Sequence, residues 1–168
     1  MREGLSTKPG DPRAMNLDQV FPQVFVGTYP ETTGDIDRLR QDFGITAVLN
    51  LHSDEDVQDL DVPWAALEDH YRRSGIELRR VRVRDFDRDD LRRHLPECVQ
   101  VLRELIDDGH TVYVHCTAGI GRSPSVVVAY LHWVEHQDLG DAFDHVNSCR
   151  PCSPDVQAIR LASRDLEE

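Results

Sequence analysis

The chain has 168 residues, a length that suits a single domain with a proper hydrophobic core. Hydrophobic residues make up 39% of it and charged residues 30%, values typical of a globular protein and not of a disordered one. The net charge of −12 argues against a nucleic-acid partner, which needs a basic face, and no apolar run approaches the roughly 20 residues that cross a bilayer. We therefore expect neither nucleic acid nor membrane as a partner.

The N-terminal region lacks the apolar stretch of a signal peptide. Residues 1–19 contain prolines and glycines and show little periodicity, so we expect a flexible tail there and one domain over residues 20–168. Without a targeting signal, the cytoplasm is the expected location. The oligomeric state is left open by the sequence.

Strands and helices alternate along the remainder of the chain. Apolar periodicity and terminating glycines or prolines predict strands at 23–27, 45–51, 76–83 and 110–116, and helices at 34–44, 63–75, 87–108, 123–136, 139–148 and 153–166. Because Pro96 lies inside the 87–108 pattern, we expect a short first turn and then a longer helix that begins near this proline. The order of elements predicts an α/β domain: a central, mainly parallel sheet flanked by helices, with a helical C-terminal third.

The segment VHCTAGIGRSP, residues 114–124, lies between the most strand-like segment and a helix. Ligands of such sheets bind at the carboxyl ends of the strands, and a helix N-terminus directs N–H groups and its positive dipole end toward an anion. Gly119 and Gly121 permit the backbone angles at which successive N–H groups converge, and Arg122 adds a planar fork that fits two phosphate oxygens. The predicted phosphate-binding residues are Thr117, Ala118, Gly119, Ile120, Gly121 and Arg122.

Cys116 lies at the base of this predicted site. Thiols near helix N-termini and cations ionise more readily, so the setting favours a nucleophilic thiolate facing a bound phosphoryl group. Ser123 can donate a hydrogen bond to the sulfur. A cysteine is often just a small core residue, but that alternative explains neither the glycines nor the spacing of Cys116 and Arg122.

His115, Cys116, Gly119, Arg122 and Ser123 match the Cys-x5-Arg signature, and the chain resembles the protein tyrosine and dual-specificity phosphatase superfamily. The resemblance implies hydrolysis of phosphomonoesters through a phosphocysteine intermediate, with no metal or organic cofactor.

The resemblance also implies a general acid, an aspartate on a loop upstream of the cysteine, and Asp85 is the first aspartate after the predicted strand at 76–83. Asp87, Asp89 and Asp90 are the competing candidates, although Asp87 and Asp89 also suit the cap of the next helix.

Within that superfamily, CTAGIGR and RDFDRDDLRRHLPECV are similar to the glucan phosphatases of the laforin and plant starch-excess types, and the similarity runs from about Val20 to Leu166. It implies a phosphorylated glucan as the substrate, with a phosphoserine, phosphothreonine or phosphotyrosine protein as the alternative. Phe86 matches an aromatic residue that lines the glucan channel of those enzymes, and Tyr29 and Trp64 could extend such a channel. Core packing is the alternative role for all three side chains. The separate carbohydrate-binding domain of most such enzymes does not fit into this length.

Other features carry weaker hypotheses. Cys149 and Cys152 have the spacing of half a zinc site, but no second ligand pair accompanies them, and we expect no metal. The resemblance implies that Cys98, Cys149 or Cys152 could form a protective disulfide with oxidised Cys116.

Three arginines, Arg80, Arg82 and Arg84, share one strand face, where pairing with nearby acids is favoured over orienting an acidic substrate. Two other functions are disfavoured. A non-catalytic phosphate-binding module has no need of Cys116 and Asp85, and a sulfurtransferase usually has a loop of different length.

Overall fold

A five-stranded sheet organises the chain in the computed structural model, which describes residues 15–168. The strands are β1 (Leu17–Phe21), β2 (Val24–Gly27), β3 (Ala47–Asn50), β4 (Glu77–Arg80) and β5 (Val112–His115). Their spatial order is β1-β2-β5-β3-β4, in which β1 runs antiparallel to β2 and the other pairings are parallel. The predicted mainly parallel α/β fold is confirmed.

Seven helices surround the sheet in the described part of the chain. They are α1 (Thr33–Phe43), α2 (Asp54–Asp59), α3 (Trp64–Arg73), α4 (Arg88–Asp107), α5 (Arg122–Trp133), α6 (Leu139–Cys149) and α7 (Val156–Glu167). Helices α4 to α7 cover one face with the larger core, and α1 and α3 cover the other with a smaller one. Both faces of the central strands are therefore buried, which explains their continuous apolar sequence.

The central strand β5 positions the residues that follow it. Its last residue, His115, lies level with Gly27 of β2 and Asn50 of β3. Consecutive side chains of β5 enter opposite cores, Tyr113 the smaller and Val114 the larger. The segment after His115 thus emerges at the carboxyl edge, between the ends of two parallel neighbours.

Two elements were not predicted. Strand β1 lies partly within the predicted tail, so the domain begins before residue 20, and Met15 is already buried. The register of β1 against β2 shifts between Gln19 and Phe21, which breaks the alternation that marks a strand in sequence. Helix α2 is only six residues long and buries no side chain, so it has no periodic signal. Residues 1–14 of the predicted tail lie outside the described residues.

The predicted break near Pro96 is wrong, because α4 is one helix of 20 residues that contains this proline. A proline inside a helix costs about 3 kcal/mol. A stripe of buried side chains runs along α4 on both sides of the proline. Leu91 and Leu95 precede it, and Val99 and Leu102 follow it. Each such side chain contributes about 1.5–3 kcal/mol, so their combined burial outweighs the proline.

Among residues 15–168, no helix has both the length and the apolar content needed to span a membrane.

Gly27, at the end of β2, is expected to tolerate no larger residue. A Cβ there would lie 2.2 Å from the Asn16 carbonyl oxygen and 2.6 Å from the Tyr113 hydroxyl. We predict that Gly27→Ala lowers the free energy of unfolding by about 2–3 kcal/mol, because both neighbours are held in the packed sheet.

Urea denaturation measures this change, and Gly34→Ala in α1 is the control. A Cβ at Gly34 lies 3.6 Å from its nearest neighbour, the Thr32 hydroxyl, so this variant is expected to be neutral or slightly more stable. Equal stability of the two variants would contradict the tight approach at Gly27.

Candidate active site

The loop formed by residues 116–121, here called the Cys116 loop, connects β5 to α5. Every carbonyl of this loop accepts a hydrogen bond from a group outside it. The donors are, in order from Cys116 to Gly121, His115 Nδ1 (3.0 Å), Tyr29 N (3.1 Å), Arg150 Nη2 (2.9 Å), Arg150 Nε (2.8 Å), Ser153 N (2.7 Å) and Ser125 Oγ (2.7 Å). Carbonyls held outward leave the N–H groups on the inner side, which is the arrangement of an anion cradle.

Gly119 is required by the shape of this loop. Its φ of 68° lies in the left-handed region, which residues other than glycine adopt only at a cost in free energy. A Cβ at this position would also lie 2.5 Å from the Gly27 carbonyl oxygen. The loop can approach the end of β2 this closely because position 119 has no side chain.

Cys116 and Ser123 are brought together as predicted. The Cys116 Sγ lies 3.2 Å from the Ser123 Oγ, and both residues are buried beneath the loop. The serine is in the first turn of α5, whose N-terminus adds the positive end of its dipole. The hydroxyl is therefore placed to donate a hydrogen bond to a thiolate.

Arg122 is held from behind by two groups that bind the same nitrogen. Its Nη1 donates to the Asp56 Oδ2 at 2.6 Å and to the Val83 carbonyl at 2.7 Å. Burial by itself raises the pKa of Asp56, but the hydrogen bonds from Arg122 and Ser53 more than offset this and lower it. The Arg122 Nε is buried and has no hydrogen-bond partner within residues 15–168. The guanidinium is thus fixed in orientation with a donor still free.

Asp85 is the predicted acid that the structure places at the site. Its Oδ2 lies 3.4 Å from Arg122 Nη2, and the side chain is partly exposed. Asp87 caps α4 by accepting from the Asp90 N–H, and the buried Asp90 accepts from the Arg84 N–H. Asp89, the third competitor, is exposed and lies outside the cavity lining. Of the four aspartates, Asp85 is therefore the one that contacts Arg122.

A cavity of about 720 Å³ joins these groups. Its walls include the loop after β4, the Cys116 loop and the segment before α7; among its lining residues are Asp85, Phe86, Cys116, Ile120 and Arg122. The cavity therefore opens onto a buried sulfur, a fixed guanidinium and a carboxylate.

Residues 24–160 match the family described as "Dual specificity phosphatase, catalytic domain". The chain belongs to the dual-specificity phosphatase family. Over 90% of its length it is 34% identical to "Phosphoglucan phosphatase LSF1, chloroplastic" of Arabidopsis thaliana, of which it covers 26%. It is 28% identical over 93% of its length to laforin of Mus musculus, of which it covers 51%. The crystal structure of Tk-PTP in the active form superposes with a TM-score of 0.70 at 24% identity, covering 90% of this chain and 95% of that one.

The chain thus spans about a quarter of one of these curated relatives and about half of the other.

The three predicted substrate aromatics occupy different places in this phosphatase domain. Phe86 is fully exposed at the cavity, with a φ of 56° that is unusual for an aromatic residue. Tyr29 lines a second cleft of about 540 Å³ with Leu60 and Pro63, and its own N–H binds the Cys116 loop. Trp64 lines neither space; its ring packs under the guanidinium of Arg80, 5.0 Å from the centroid.

The arginines at the end of β4 and just after it pair with acids, and of the three only Arg84 also lines the cavity. Arg80 and Arg82 both bind Asp54, and Arg84 lies 3.7 Å from Glu55. The four cysteines are all free thiols.

Asp56, Arg150 and His52 were missed by sequence reasoning. Asp56 and His52 follow β3 at the carboxyl edge of the sheet. The rule that ligands bind at this edge could therefore have identified them. Asp56 also completes a capping box with Ser53, a recognisable pattern. Arg150 has no local signal, because the carbonyls that it binds lie more than 30 residues earlier in the chain.

Two neutral imidazoles support the loop. Burial lowers the pKa of His115 to about 3, and burial, aided by Arg122 and Arg80 and opposed by Asp56, lowers that of His52 to about 4. The Thr117 hydroxyl accepts from Arg122 Nη2 and lies 3.0 Å from the His52 Nε2, to which it can donate. Protonation of His52 would remove that acceptor beside a buried cation.

We predict that His52 makes the fold acid-sensitive. Between pH 6.5 and about 4, His52 of the unfolded chain binds a proton that folded His52 does not. The contribution of neutral His52 to the free energy of unfolding is therefore fully present above pH 6.5 and is lost as the pH falls toward 4. In His52→Gln, the loss of unfolding free energy between about pH 7.5 and about pH 5 should shrink by about 2 kcal/mol. Urea denaturation at both pH values measures it.

His136→Asn is the control, because His136 is exposed and asparagine tolerates its positive φ. This variant should keep the full acid sensitivity of the wild type. The lowered pKa of Asp56 acts in a separate window, since its stabilisation is lost only below its usual value of 3.8. An unchanged pH dependence in His52→Gln would contradict the assignment to His52.

Proposed function

We propose that the chain is a cysteine-dependent phosphatase that releases phosphate from phosphorylated glucan. The observation that carries the proposal is the Cys116 loop, whose six carbonyls are all bound from outside while Cys116 and Arg122 lie at its centre. A cradle of N–H groups and one guanidinium fits the three non-bridging oxygens of a phosphoryl group. In this proposal the Cys116 sulfur is the nucleophile that attacks phosphorus.

The proposed chemistry has two displacements. In the first, the Cys116 thiolate attacks phosphorus, the bond from phosphorus to the leaving oxygen breaks, and Asp85 donates its proton to that oxygen. In the second, water attacks the phosphocysteine, Asp85 takes a proton from the water, and the sulfur leaves as a thiolate that Ser123 stabilises. Arg122 and the N–H groups of 117–122 bind the phosphoryl oxygens in both steps.

A glucan substrate is supported by the shape and chemistry of the cavity rim. Phe86 is completely exposed and Ile120 is 47% exposed, both at this cavity, which places two apolar surfaces beside the phosphate cradle. Flat apolar faces pack well on sugar rings while the hydroxyls stay hydrated. Tyr29, whose N–H binds the Thr117 carbonyl, lines a second cleft that we expect to receive further glucosyl units. The name of the plant relative, a phosphoglucan phosphatase, agrees with this class of substrate.

The cellular location and the range of partners remain predictions. The cytoplasm is the location expected from the sequence, whereas the relative from Arabidopsis thaliana is named as chloroplastic. The excess of acidic residues supports the expectation that nucleic acid is not a partner.

Phosphate release from solubilised phosphorylated amylopectin, measured beside a panel of phosphopeptides, tests the proposal. Wild type should favour the glucan, and Cys116→Ser should reduce release to background, because its hydroxyl is a far weaker nucleophile than a thiolate. Preference for the peptides would replace the glucan with a phosphoprotein as the substrate. Absence of any release would contradict phosphatase activity itself.

Phe86→Ala tests the glucan contact separately. We expect kcat/KM on phosphorylated amylopectin to fall about tenfold, equivalent to ~1.4 kcal/mol, and to fall less on a small aryl phosphate. Leu166→Ala is the matched control, because Leu166 is an exposed apolar residue of α7 outside the cavity lining. Equal losses in the two variants would argue against a sugar contact at Phe86.

A further inference from the structure

A continuous path of hydrogen bonds joins the Cys116 loop to the loop that carries Asp85. The Gly121 carbonyl accepts from the Ser125 Oγ at 2.7 Å, and this oxygen accepts from the Asp155 N–H at 2.8 Å. The Asp155 carboxylate then accepts from Arg88 Nε, at 2.9 Å to one oxygen and 3.2 Å to the other. Arg88 is the first residue of α4, three positions after Asp85.

The segment 84–87, here called the acid loop, needs such a restraint. Phe86 in its middle has a positive φ, a conformation that costs free energy unless the surroundings hold it. Its beginning is tied down where the Arg84 N–H binds the buried Asp90, and its end where Asp87 caps α4. These contacts lie within 84–90 and fix the shape of the acid loop, but they do not fix its distance from Cys116.

Asp155 is built into the structure on the side of the nucleophile. Its carboxylate caps α7 by accepting from the Ala158 N–H, and its backbone binds Ser125 in α5. The helix that begins with Arg122 is therefore linked through Asp155 to the helix that begins with Arg88. Arg122 contacts the beginning of the acid loop and the residue before it directly, through Nη2 to the Asp85 Oδ2 at 3.4 Å and through Nη1 to the Val83 carbonyl at 2.7 Å. The contact of Arg88 with Asp155 is a second tie, at the other end of the acid loop.

We propose that Arg88 and Asp155 are positioning residues that hold the Asp85 carboxyl at the leaving oxygen by joining the acid loop to the Cys116 loop. This inference rests on the proposed phosphatase function and assigns to two cavity-lining residues a task that is separate from phosphate binding. An exposed ion pair adds little to stability, so the effect is expected in catalysis and not in unfolding.

The leaving group reveals this role. A nitrophenolate departs readily without a proton, whereas phenol, with a pKa of about 10 like that of tyrosine, needs one. The two aryl phosphates are otherwise alike in shape and in phosphate contacts. In the first displacement, which kcat/KM reports, a misplaced Asp85 therefore slows phenyl phosphate and leaves p-nitrophenyl phosphate nearly unaffected, whereas the second displacement is the same for both compounds.

We expect Arg88→Gln to lower kcat/KM for phenyl phosphate about five- to tenfold more than for p-nitrophenyl phosphate, a fraction of the roughly 10²–10⁴ that a general acid supplies. Asp155→Asn, which keeps an oxygen for capping α7, should give the same selective loss. The double variant should lose no more than either single one, because both act through one contact.

Arg92→Gln is the matched control. Arg92 lies one turn after Arg88 in α4 and pairs with Asp165 of α7, with both oxygens at 2.7 Å, but touches neither loop. The Arg92→Gln variant breaks an ion pair between the same two helices without affecting either loop. Its kinetics on both substrates should therefore equal those of the wild type.

Two results would overturn the inference while leaving the phosphatase function intact. They are equal losses of kcat/KM on the two aryl phosphates in Arg88→Gln, and additive losses in the double variant. A wild type that hydrolyses neither compound would instead contradict the proposed function. Circular dichroism of each variant identifies any loss that comes from misfolding.

Discussion

The outward binding of the Cys116 loop carbonyls is the constraint on which the rest of the structure depends. A short loop can present successive N–H groups to an anion only if the carbonyls on its other side find donors in the protein. Here the donors come from the last residue of β5, the segment after β2, α5 and the segment after α6, and the guanidinium of Arg150 binds two of the carbonyls. The C-terminal helices are for this reason part of the site, although none carries the nucleophile.

The local charge of the site is opposite to the charge of the chain. The net charge is −12, yet Arg122, the α5 dipole and the N–H groups of the loop all direct positive charge at one point. Asp56 neutralises Arg122 only on the far side, where it also fixes the orientation of the guanidinium. Outside the cavity, arginines such as Arg80 and Arg82 are bound to carboxylates and add little to this field. Binding of an anion by an acidic protein is thus a matter of which dipoles and charges remain unpaired in a buried space.

Helix α4 connects catalysis with packing. Its first turn ends the acid loop, and its buried stripe on both sides of Pro96 fastens it to the larger core. A rigid, well-packed helix transmits the position of its N-terminus accurately, so the strained conformation at Phe86 can be maintained. The contact of Arg88 with Asp155 brings the last degree of freedom, the distance between the two loops, under the same control.

The sequence by itself determined the order of the elements, the mainly parallel sheet and the pairing of Cys116 with Arg122, because each depends on periodicity or spacing within a short stretch. The resemblance to the dual-specificity phosphatases, together with the position of Asp85 as the first aspartate after a predicted strand, also indicated the acid. Tertiary structure alone decided that Arg150 and Ser153 hold the loop, that Asp56 holds Arg122, and that Trp64 packs under Arg80 away from the cavity. Those contacts join residues dozens of positions apart, and side-chain chemistry does not specify which distant carbonyl or ring a guanidinium will meet. The continuity of α4 through Pro96 was likewise decided by the core, whose burial outweighs a local cost that sequence rules count in isolation.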